Sequence, residues 1–269
     1  MLINTPQSGA INVVRTGKRG TTVLFLHPVG LDGSWFDNQI SAFRNEYDVV
    51  TMDMPGHGLS SPLVQEPTFA QLADTVAFAL SALDINAVHV VGLSFGGMIA
   101  QHLALRHPNL VKSLLLIGTT HTATSVRDAL KQRSATALKQ GMAGIVAPTI
   151  ERWFGPGFGS KRPDVINRAA ICLLRQEALA HSLTWSMVAD LDLTHEIGSV
   201  SCPVLVVGGD ADVNTPYSVV QGMARALGGV PVEMMEGVGH FPPIEAPEAF
   251  NQILDGFLKG TPARTPPSA

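Results

Sequence analysis

The stretch from Val88 to Gln101 constrains the fold most, because a short apolar strand pattern stops at a serine and a helix pattern begins at once. Glycines stand two residues before and two residues after Ser94, in Gly92-Leu93-Ser94-Phe95-Gly96. A tight turn from strand into helix leaves no room for side chains at those two positions, so the spacing predicts such a turn. In this turn, a nucleophile elbow, the hydroxyl of Ser94 stands at the helix N-terminus, where negative charge is stabilised. The alternative is a glycine-rich turn with an incidental serine.

Short β-branched apolar runs alternate with segments of helical period along most of the chain. The predicted strands cover residues 11–15, 22–26, 49–52, 88–91, 111–117, 204–207 and 232–235. The clearest helix patterns cover residues 35–43, 69–83, 97–106, 218–227 and 247–258. This alternation predicts an α/β fold, with a mostly parallel sheet flanked by helices on both faces.

The alternation stops between residues 120 and 196, where helix patterns follow one another without a convincing strand. These patterns cover residues 126–138, 142–153, 165–175 and 178–188. Open α/β sheets bind ligands outside the carboxyl ends of their strands, so we expect an inserted helical cap there over residues 120–196. The predicted core is then residues 1–119 and 197–259, and the proline-rich residues 260–269 are expected to form a disordered tail.

Composition excludes several classes of function. The net charge of −4 over 269 residues gives no basic footprint for nucleic acid. No apolar run approaches the length of a membrane span, and residues 1–16 lack a signal-peptide pattern, so we expect a cytoplasmic protein that does not bind membranes. Cys172 and Cys202 lie in no metal-ligand spacing, and no phosphate- or dinucleotide-binding glycine motif occurs, so neither a metal nor a cofactor is expected. A small-molecule substrate is the expected partner, and the oligomeric state stays open.

A serine hydroxyl is a weak nucleophile until a histidine, itself oriented by a carboxylate, takes its proton. The expected base is His240, which follows the predicted strand 232–235 in a loop rich in glycine. The acid is expected after the predicted strand 204–207, where Asp210 and Asp212 compete. We prefer Asp212 because it lies deeper in the turn, just before the residues that start the next helix. Asp210 fits a turn-stabilising role.

A tetrahedral oxyanion needs two backbone N–H donors. The first is expected from Phe95, the residue after the serine. The second is expected from the loop after the predicted strand 22–26, which begins His27-Pro28-Val29-Gly30. Pro28 has no N–H, so Val29 is the predicted donor. An ordinary glycine-rich loop is the alternative for this segment.

Together these motifs resemble the α/β-hydrolase superfamily over nearly the whole chain. The stretches that carry the likeness are residues 27–30, 53–60, 92–101, 212–216 and 239–240. Within the superfamily, three stretches are similar to the 3-oxoadipate enol-lactonase group. They are residues 92–101, the cap segment from Gly141-Met142 to Arg152-Trp153-Phe154, and residues 189–193 with Ile197. The resemblance implies a serine hydrolase that forms an acyl-enzyme with a small ester or lactone, such as a carboxylate-bearing enol-lactone.

An anionic substrate would need a cation near the cleft, and Arg152 beside Trp153 is the preferred candidate among the cap's basic residues. Trp35 and Trp185 are further candidates for the pocket lining. Solvated charges and core aromatic residues are the alternatives for these side chains. A general carboxylesterase, a thioesterase or a C–C bond hydrolase could use the same scaffold. A perhydrolase, a cofactor-free dioxygenase and a non-enzymatic ligand receptor are more distant alternatives.

Overall fold

The computed structural model of the protein describes residues 1–17 and 20–260, so most of the predicted tail lies outside the described residues. Within those ranges, eight strands form one sheet in the order β1-β2-β4-β3-β5-β6-β7-β8. The strands are β1 (Leu2–Thr5), β2 (Gly9–Thr16), β3 (Thr22–Leu26), β4 (Asp48–Met52), β5 (Val88–Leu93), β6 (Val111–Ile117), β7 (Val204–Gly209) and β8 (Val232–Met235). The helices are α1 (Asp37–Phe43), α2 (Phe69–Ser81), α3 (Phe95–Arg106), α4 (Arg127–Trp153), α5 (Phe158–Lys161), α6 (Pro163–Leu174), α7 (Ala178–Ala189), α8 (Tyr217–Ala226), α9 (Pro242–Glu245) and α10 (Pro247–Gly260).

The sheet is parallel from β4 to β8 and antiparallel only at the β1–β2 and β2–β4 pairs. All residues of β3, β4 and β5 are buried, which explains why these strands read as continuous apolar runs rather than as alternating ones. The predicted α/β fold class is confirmed.

The edge strand β1 was not predicted. Its burial alternates, and only Ile3 and Thr5 face inward. Ile3 pairs with Ile11 of β2. A four-residue strand with two inward side chains leaves too short a pattern for recognition in the sequence.

Helices cover both faces of the sheet. Successive side chains of β3 enter different cores, since Leu24 and Leu26 belong to one apolar cluster and Val23 and Phe25 to the other. The first cluster includes Val76 of α2, Leu103 of α3 and Val220 of α8, and the second includes Phe43 of α1 and Phe250 of α10. Close packing in the two cores fixes the positions of the strand ends. The loops that follow the strands are positioned by this rigid scaffold.

Residues 118–203, between β6 and β7, are all described, and they hold the helices α4 to α7 with one isolated bridge between Thr122 and Asp192. Two helices were predicted over residues 126–138 and 142–153. The structure joins them as α4, interrupted at Gly141, where φ is 67° and ψ is 179°. Among residues 1–17 and 20–260, none of the helices has both the length and the apolar character needed to cross a membrane.

Candidate active site

The turn between β5 and α3 has the predicted geometry. Ser94 has φ 54° and ψ −113°, a backbone conformation that side-chain-bearing residues rarely adopt. A Cβ atom on Gly92 would lie 2.6 Å from the Gly96 carbonyl oxygen, and one on Gly96 would overlap the carbonyl oxygen of Leu26. Both glycines are therefore required by close backbone contacts. Half-buried Ser94 stands at the first turn of α3.

We expect Ser94→Gly to have a free energy of unfolding about 1 kcal/mol above that of Ser94→Ala. Glycine releases backbone strain of about 1–3 kcal/mol at this φ, while its extra chain entropy costs about 0.5–1 kcal/mol. Urea unfolding of the two variants, followed by tryptophan fluorescence, measures the difference. An alanine variant as stable as the glycine variant would show that the turn stores no strain.

The structure brings Asp212 and His240 together. His240 Nδ1 lies 2.7 Å from Asp212 Oδ2, and both side chains are buried. The other oxygen, Asp212 Oδ1, accepts from the backbone N–H groups of Asn214 at 2.7 Å and Thr215 at 3.2 Å. The Thr215 hydroxyl donates to Oδ2.

Burial opposes ionisation of Asp212, but the charge and hydrogen bond of His240, together with the Thr215 and Asn214 donors, outweigh it. The net effect of burial, the His240 charge and these hydrogen bonds lowers the pKa of Asp212 to about 2. An ionised carboxylate only accepts hydrogen bonds, so His240 Nδ1 carries a proton, and the lone pair of the neutral ring is then on Nε2.

The competing aspartate, Asp210, lies elsewhere in the same loop. It is exposed, and its Oδ1 accepts from the backbone N–H of Gly237 at 2.7 Å. This contact ties the loop after β7 to the loop after β8, which is a turn-stabilising role. The geometry thus pairs Asp212, the preferred aspartate, with the histidine.

The serine turn and the imidazole meet at the end of β6. The backbone N–H of Ser94 donates to the Ile117 carbonyl oxygen at 2.8 Å. A Cβ atom on the next residue, Gly118, would lie 3.2 Å from His240 Nδ1 and 3.3 Å from its Cε1. Ser94 is thus bonded to Ile117, and the imidazole lies close to the next residue, where glycine leaves room for the ring.

Two buried residues follow the neighbouring strands β3 and β5. Val29 is 5% exposed and Phe95 is 2% exposed. Among residues 1–17 and 20–260, neither N–H donates to a protein acceptor. Buried N–H groups are nearly always paired, so two such groups at neighbouring strand ends can bind a ligand oxygen.

A buried histidine fixes the loop that carries Val29. The Nε2 atom of His27 accepts from the Met54 backbone N–H at 2.9 Å, so its Nδ1 holds the proton and donates to the Pro28 carbonyl oxygen at 2.8 Å. Complete burial lowers the pKa of His27, which keeps the ring neutral. The loop conformation is set by these two hydrogen bonds.

The C-terminal end of α4 is bonded to both loops of the Asp212–His240 pair. The His240 backbone N–H donates to the Trp153 carbonyl oxygen at 2.8 Å, and Asn214 Nδ2 donates to the Arg152 carbonyl oxygen at 2.7 Å. The buried Trp153 ring lies 5.0 Å from the Phe241 ring, and a Cβ atom on Gly30 would lie 3.3 Å from it. The sequence indicated the Trp153 side chain as a candidate for the substrate pocket. It did not predict that the carbonyl oxygens of Arg152 and Trp153 accept hydrogen bonds from the loops of Asp212 and His240.

Two arginines of α4 are partly buried, and the charge of one acts on the other. Burial, and then the positive charge of Arg152, lowers the pKa of Arg133 to about 10, and burial also lowers the pKa of Arg152. The Arg133 guanidinium lies 5.2 Å from the Trp185 ring centroid. Among the described residues, neither guanidinium has a carboxylate partner within 4.0 Å. Sequence reasoning preferred Arg152 among the cap's basic residues, which include Arg133.

Trp35 lies in a different place from the other predicted pocket residues. Its ring is 4% exposed and packs 4.5 Å below the Arg168 guanidinium. It lines a groove of about 940 Å³ between the loop after β3 and α6. Ser94, Asp212 and His240 are not among the residues that line this groove.

The chain is similar to several known proteins. The family model described as "Alpha/beta hydrolase family" matches residues 23–253. The (E)-2-((N-methylformamido)methylene)succinate hydrolase of Acinetobacter baylyi is 29% identical, over 90% of this chain and 92% of that protein. The 3-oxoadipate enol-lactonase 1 of the same organism is 27% identical, over 96% of this chain and 97% of that protein. A solved structure of a hydrolase from Pseudomonas aeruginosa has a TM-score of 0.90 and 26% identity, over 96% of this chain and 97% of that chain.

These matches confirm the resemblance that the motifs predicted, including the likeness to 3-oxoadipate enol-lactonases. The family model spans the serine turn, the loop of Asp212 and the loop of His240 in a single alignment. Since that match covers well over half of its length, the chain belongs to the alpha/beta hydrolase family and is a hydrolase.

Proposed function

We propose that the protein hydrolyses a small ester or lactone that carries a carboxylate, through an acyl-enzyme on Ser94. One observation carries the proposal. The buried hydrogen bond from His240 to Asp212 orients an imidazole whose ring contacts the strand end to which Ser94 is bonded. It supports the roles of Ser94 as nucleophile, His240 as base and Asp212 as orienting acid.

In the proposed mechanism, Ser94 Oγ attacks the carbonyl carbon while His240 Nε2 takes the hydroxyl proton. Asp212 stabilises the imidazolium, and the Val29 and Phe95 N–H groups stabilise the oxyanion. Collapse of the tetrahedral intermediate breaks the bond to the leaving oxygen, which receives the proton from His240. A water molecule, deprotonated by the same imidazole, then releases the acid and restores Ser94.

The substrate's carboxylate is inferred from the two arginines of α4. Both guanidinium groups are partly buried, and the positive charge of Arg152 disfavours the charged form of Arg133, so a bound anion would favour both cations. Arg152 also belongs to the segment bonded to the loops of Asp212 and His240. Two relatives are named for a substituted succinate and for 3-oxoadipate enol-lactone, which supports a substrate with a free carboxylate.

The helices between β6 and β7 are proposed as the cap, over residues 120–196. The bonds from Asn214 to Arg152 and from His240 to Trp153 support this assignment, since they attach the end of α4 beside the proposed site. Trp153 and Trp185 are proposed to line the pocket with Arg133 and Arg152. Trp35 remains a prediction, although its position in the separate groove gives this role less support.

We expect Arg152→Met to lower kcat/KM for a carboxylate-bearing ester by about 10- to 100-fold, because a hydrogen bond to a charged group is worth about 1.5–3 kcal/mol. The assay compares p-nitrophenyl hemisuccinate with p-nitrophenyl butyrate, and includes 3-oxoadipate enol-lactone. For the neutral butyrate, the variant should stay within about 3-fold of the wild type. Arg133→Met should show the same selectivity, with a smaller loss where Arg152 remains.

Lys139→Met is the matched control, since it removes an exposed charge from the same helix. It should alter neither substrate's kcat/KM. Wild-type protein that prefers neutral long-chain esters over every carboxylate-bearing substrate would contradict the proposed substrate class. It would leave the proposed roles of Ser94, Asp212 and His240 intact.

A further inference from the structure

Glu245 is a half-buried carboxylate that the proposed mechanism does not use. It lies at the end of α9, beside the loop of His240. Its Oε2 accepts from the backbone N–H groups of Gly239 at 3.0 Å and Gly155 at 2.7 Å, and its Oε1 accepts from that of Phe241 at 3.1 Å. The carboxylate thus binds the amides on both sides of His240 and one amide just beyond the end of α4.

This carboxylate is held by backbone donors rather than by a cation. Among residues 1–17 and 20–260, no lysine or arginine forms an ion pair with Glu245. Burial raises the pKa of Glu245, and the three N–H donors and the positive charge of His240 oppose that rise. Burying a carboxylate costs free energy, and backbone N–H groups that donate to both of its oxygens offset that cost. A neutral side chain would accept these hydrogen bonds less strongly.

The backbone around Glu245 is packed for this contact. A Cβ atom on Gly155 would lie 2.8 Å from the Gly237 carbonyl oxygen and 3.1 Å from Glu245 Oε2. A Cβ atom on Gly239 would overlap the Gly155 nitrogen and lie 3.0 Å from Glu245 Oε1. Glycine at 155 and 239 therefore lets two loops approach closely enough to share one carboxylate.

The same two segments are joined again on the other side of His240. The His240 backbone N–H donates to the Trp153 carbonyl oxygen at 2.8 Å. Three consecutive N–H groups, of residues 239 to 241, are therefore all bonded either to Glu245 or to the end of α4. The backbone that carries the imidazole has little freedom to tilt while these bonds persist.

We propose that Glu245 is a positioning residue, which fixes the orientation of His240 and the position of the Arg152–Gly155 segment as a single unit. The inference rests on the proposed function, because it assumes that His240 is the base. Loss of the carboxylate would free the amides of Gly239 and Phe241, so the imidazole would no longer point steadily at Ser94. Loss of the Gly155 bond would also release the segment that carries Arg152.

The test uses Glu245→Gln, which keeps the shape of the side chain but offers one acceptor oxygen instead of two. The first readout is the second-order rate at which a fluorophosphonate probe labels Ser94, because labelling needs the activated serine and is independent of the natural substrate. We expect a fall of about 10- to 100-fold, the cost of a misplaced catalytic group. The second readout is turnover per titrated active site, where kcat should fall for p-nitrophenyl butyrate while KM stays within about 3-fold.

For p-nitrophenyl hemisuccinate, KM should also rise, since the segment with Arg152 is released. A purely structural role would lower the fraction of active protein but leave the labelling rate per site and KM unchanged. Glu248→Gln, an exposed glutamate in the first turn of α10, is the matched control and should behave as the wild type. Glu245→Asp, whose shorter side chain cannot span the three donors, replaces the glutamine variant if that variant does not fold.

The outcomes separate this inference from the proposed function. A wild-type protein that the probe does not label at Ser94 would contradict the acyl-enzyme itself. Labelled wild type, together with a folded Glu245 variant labelled at the same rate, would overturn the positioning role alone. Failure of both Glu245 variants to fold would also overturn it, in favour of a purely structural role.

Discussion

Ser94→Ala is expected to lower kcat/KM by about 10⁴-fold or more on every substrate that the wild-type protein hydrolyses. The methyl group of alanine cannot form the acyl bond, so His240 and the two amides would act only on a water molecule placed by chance. Alanine can take the same backbone conformation as Ser94, so the fold is expected to survive. Initial rates under single- and multiple-turnover conditions measure the loss, and thermal unfolding checks the fold.

Ser113→Ala is the matched control for this prediction. Ser113 Oγ lies 2.7 Å from His89 Nδ1, which makes a buried serine–histidine contact between strands β6 and β5. That contact lies at the amino-terminal half of the two strands, away from the end where Ser94 stands. The control should lose stability but keep its kcat/KM. A Ser94→Ala variant with near wild-type turnover would exclude covalent catalysis by this serine.

The serine turn could be predicted because its sequence pattern is local. The positive φ of Ser94 and the close contact of Gly92 with Gly96 arise within one short segment, whereas Gly96 is required by its approach to Leu26 of the neighbouring strand. The choice of Asp212 over Asp210 also followed from local geometry. The residues after Asp212 supply two backbone N–H groups to its carboxylate, as expected of an aspartate in a tight turn.

Features that depend on packing across the molecule could not be predicted in this way. Arg133 and Arg152 lie on opposite sides of the interruption of α4 at Gly141, and the sequence shows two helix patterns without the angle between them. In the sequence, Trp35 cannot be distinguished from Trp153 and Trp185 as a candidate for the pocket lining. Its position under Arg168 depends on how α6 packs on the loop after β3. Glu245 gave no signal, since its role comes from three backbone amides that no sequence pattern identifies.

Asp212→Asn is expected to lower kcat by about 10⁴-fold at neutral pH through a change of the histidine tautomer. Two backbone N–H groups point at the Oδ1 position, of Asn214 and Thr215, so the carbonyl oxygen of the new side chain takes that place. Its NH₂ group then faces His240 Nδ1, which must become an acceptor. The ring proton moves to Nε2, where it blocks removal of the proton from Ser94.

Asp210→Asn is the control that separates the two aspartates. Its carboxylate accepts a single hydrogen bond from Gly237 at an exposed position, and an asparagine oxygen can accept the same bond. The control should therefore keep kcat within about 2-fold, with at most a small change in the free energy of unfolding. Steady-state kinetics on p-nitrophenyl butyrate compares the two variants, since this neutral substrate avoids the arginines of α4. The reverse result, with Asp210→Asn inactive and Asp212→Asn active, would mean that the loop after β7 rearranges during turnover and that Asp210 supplies the acid.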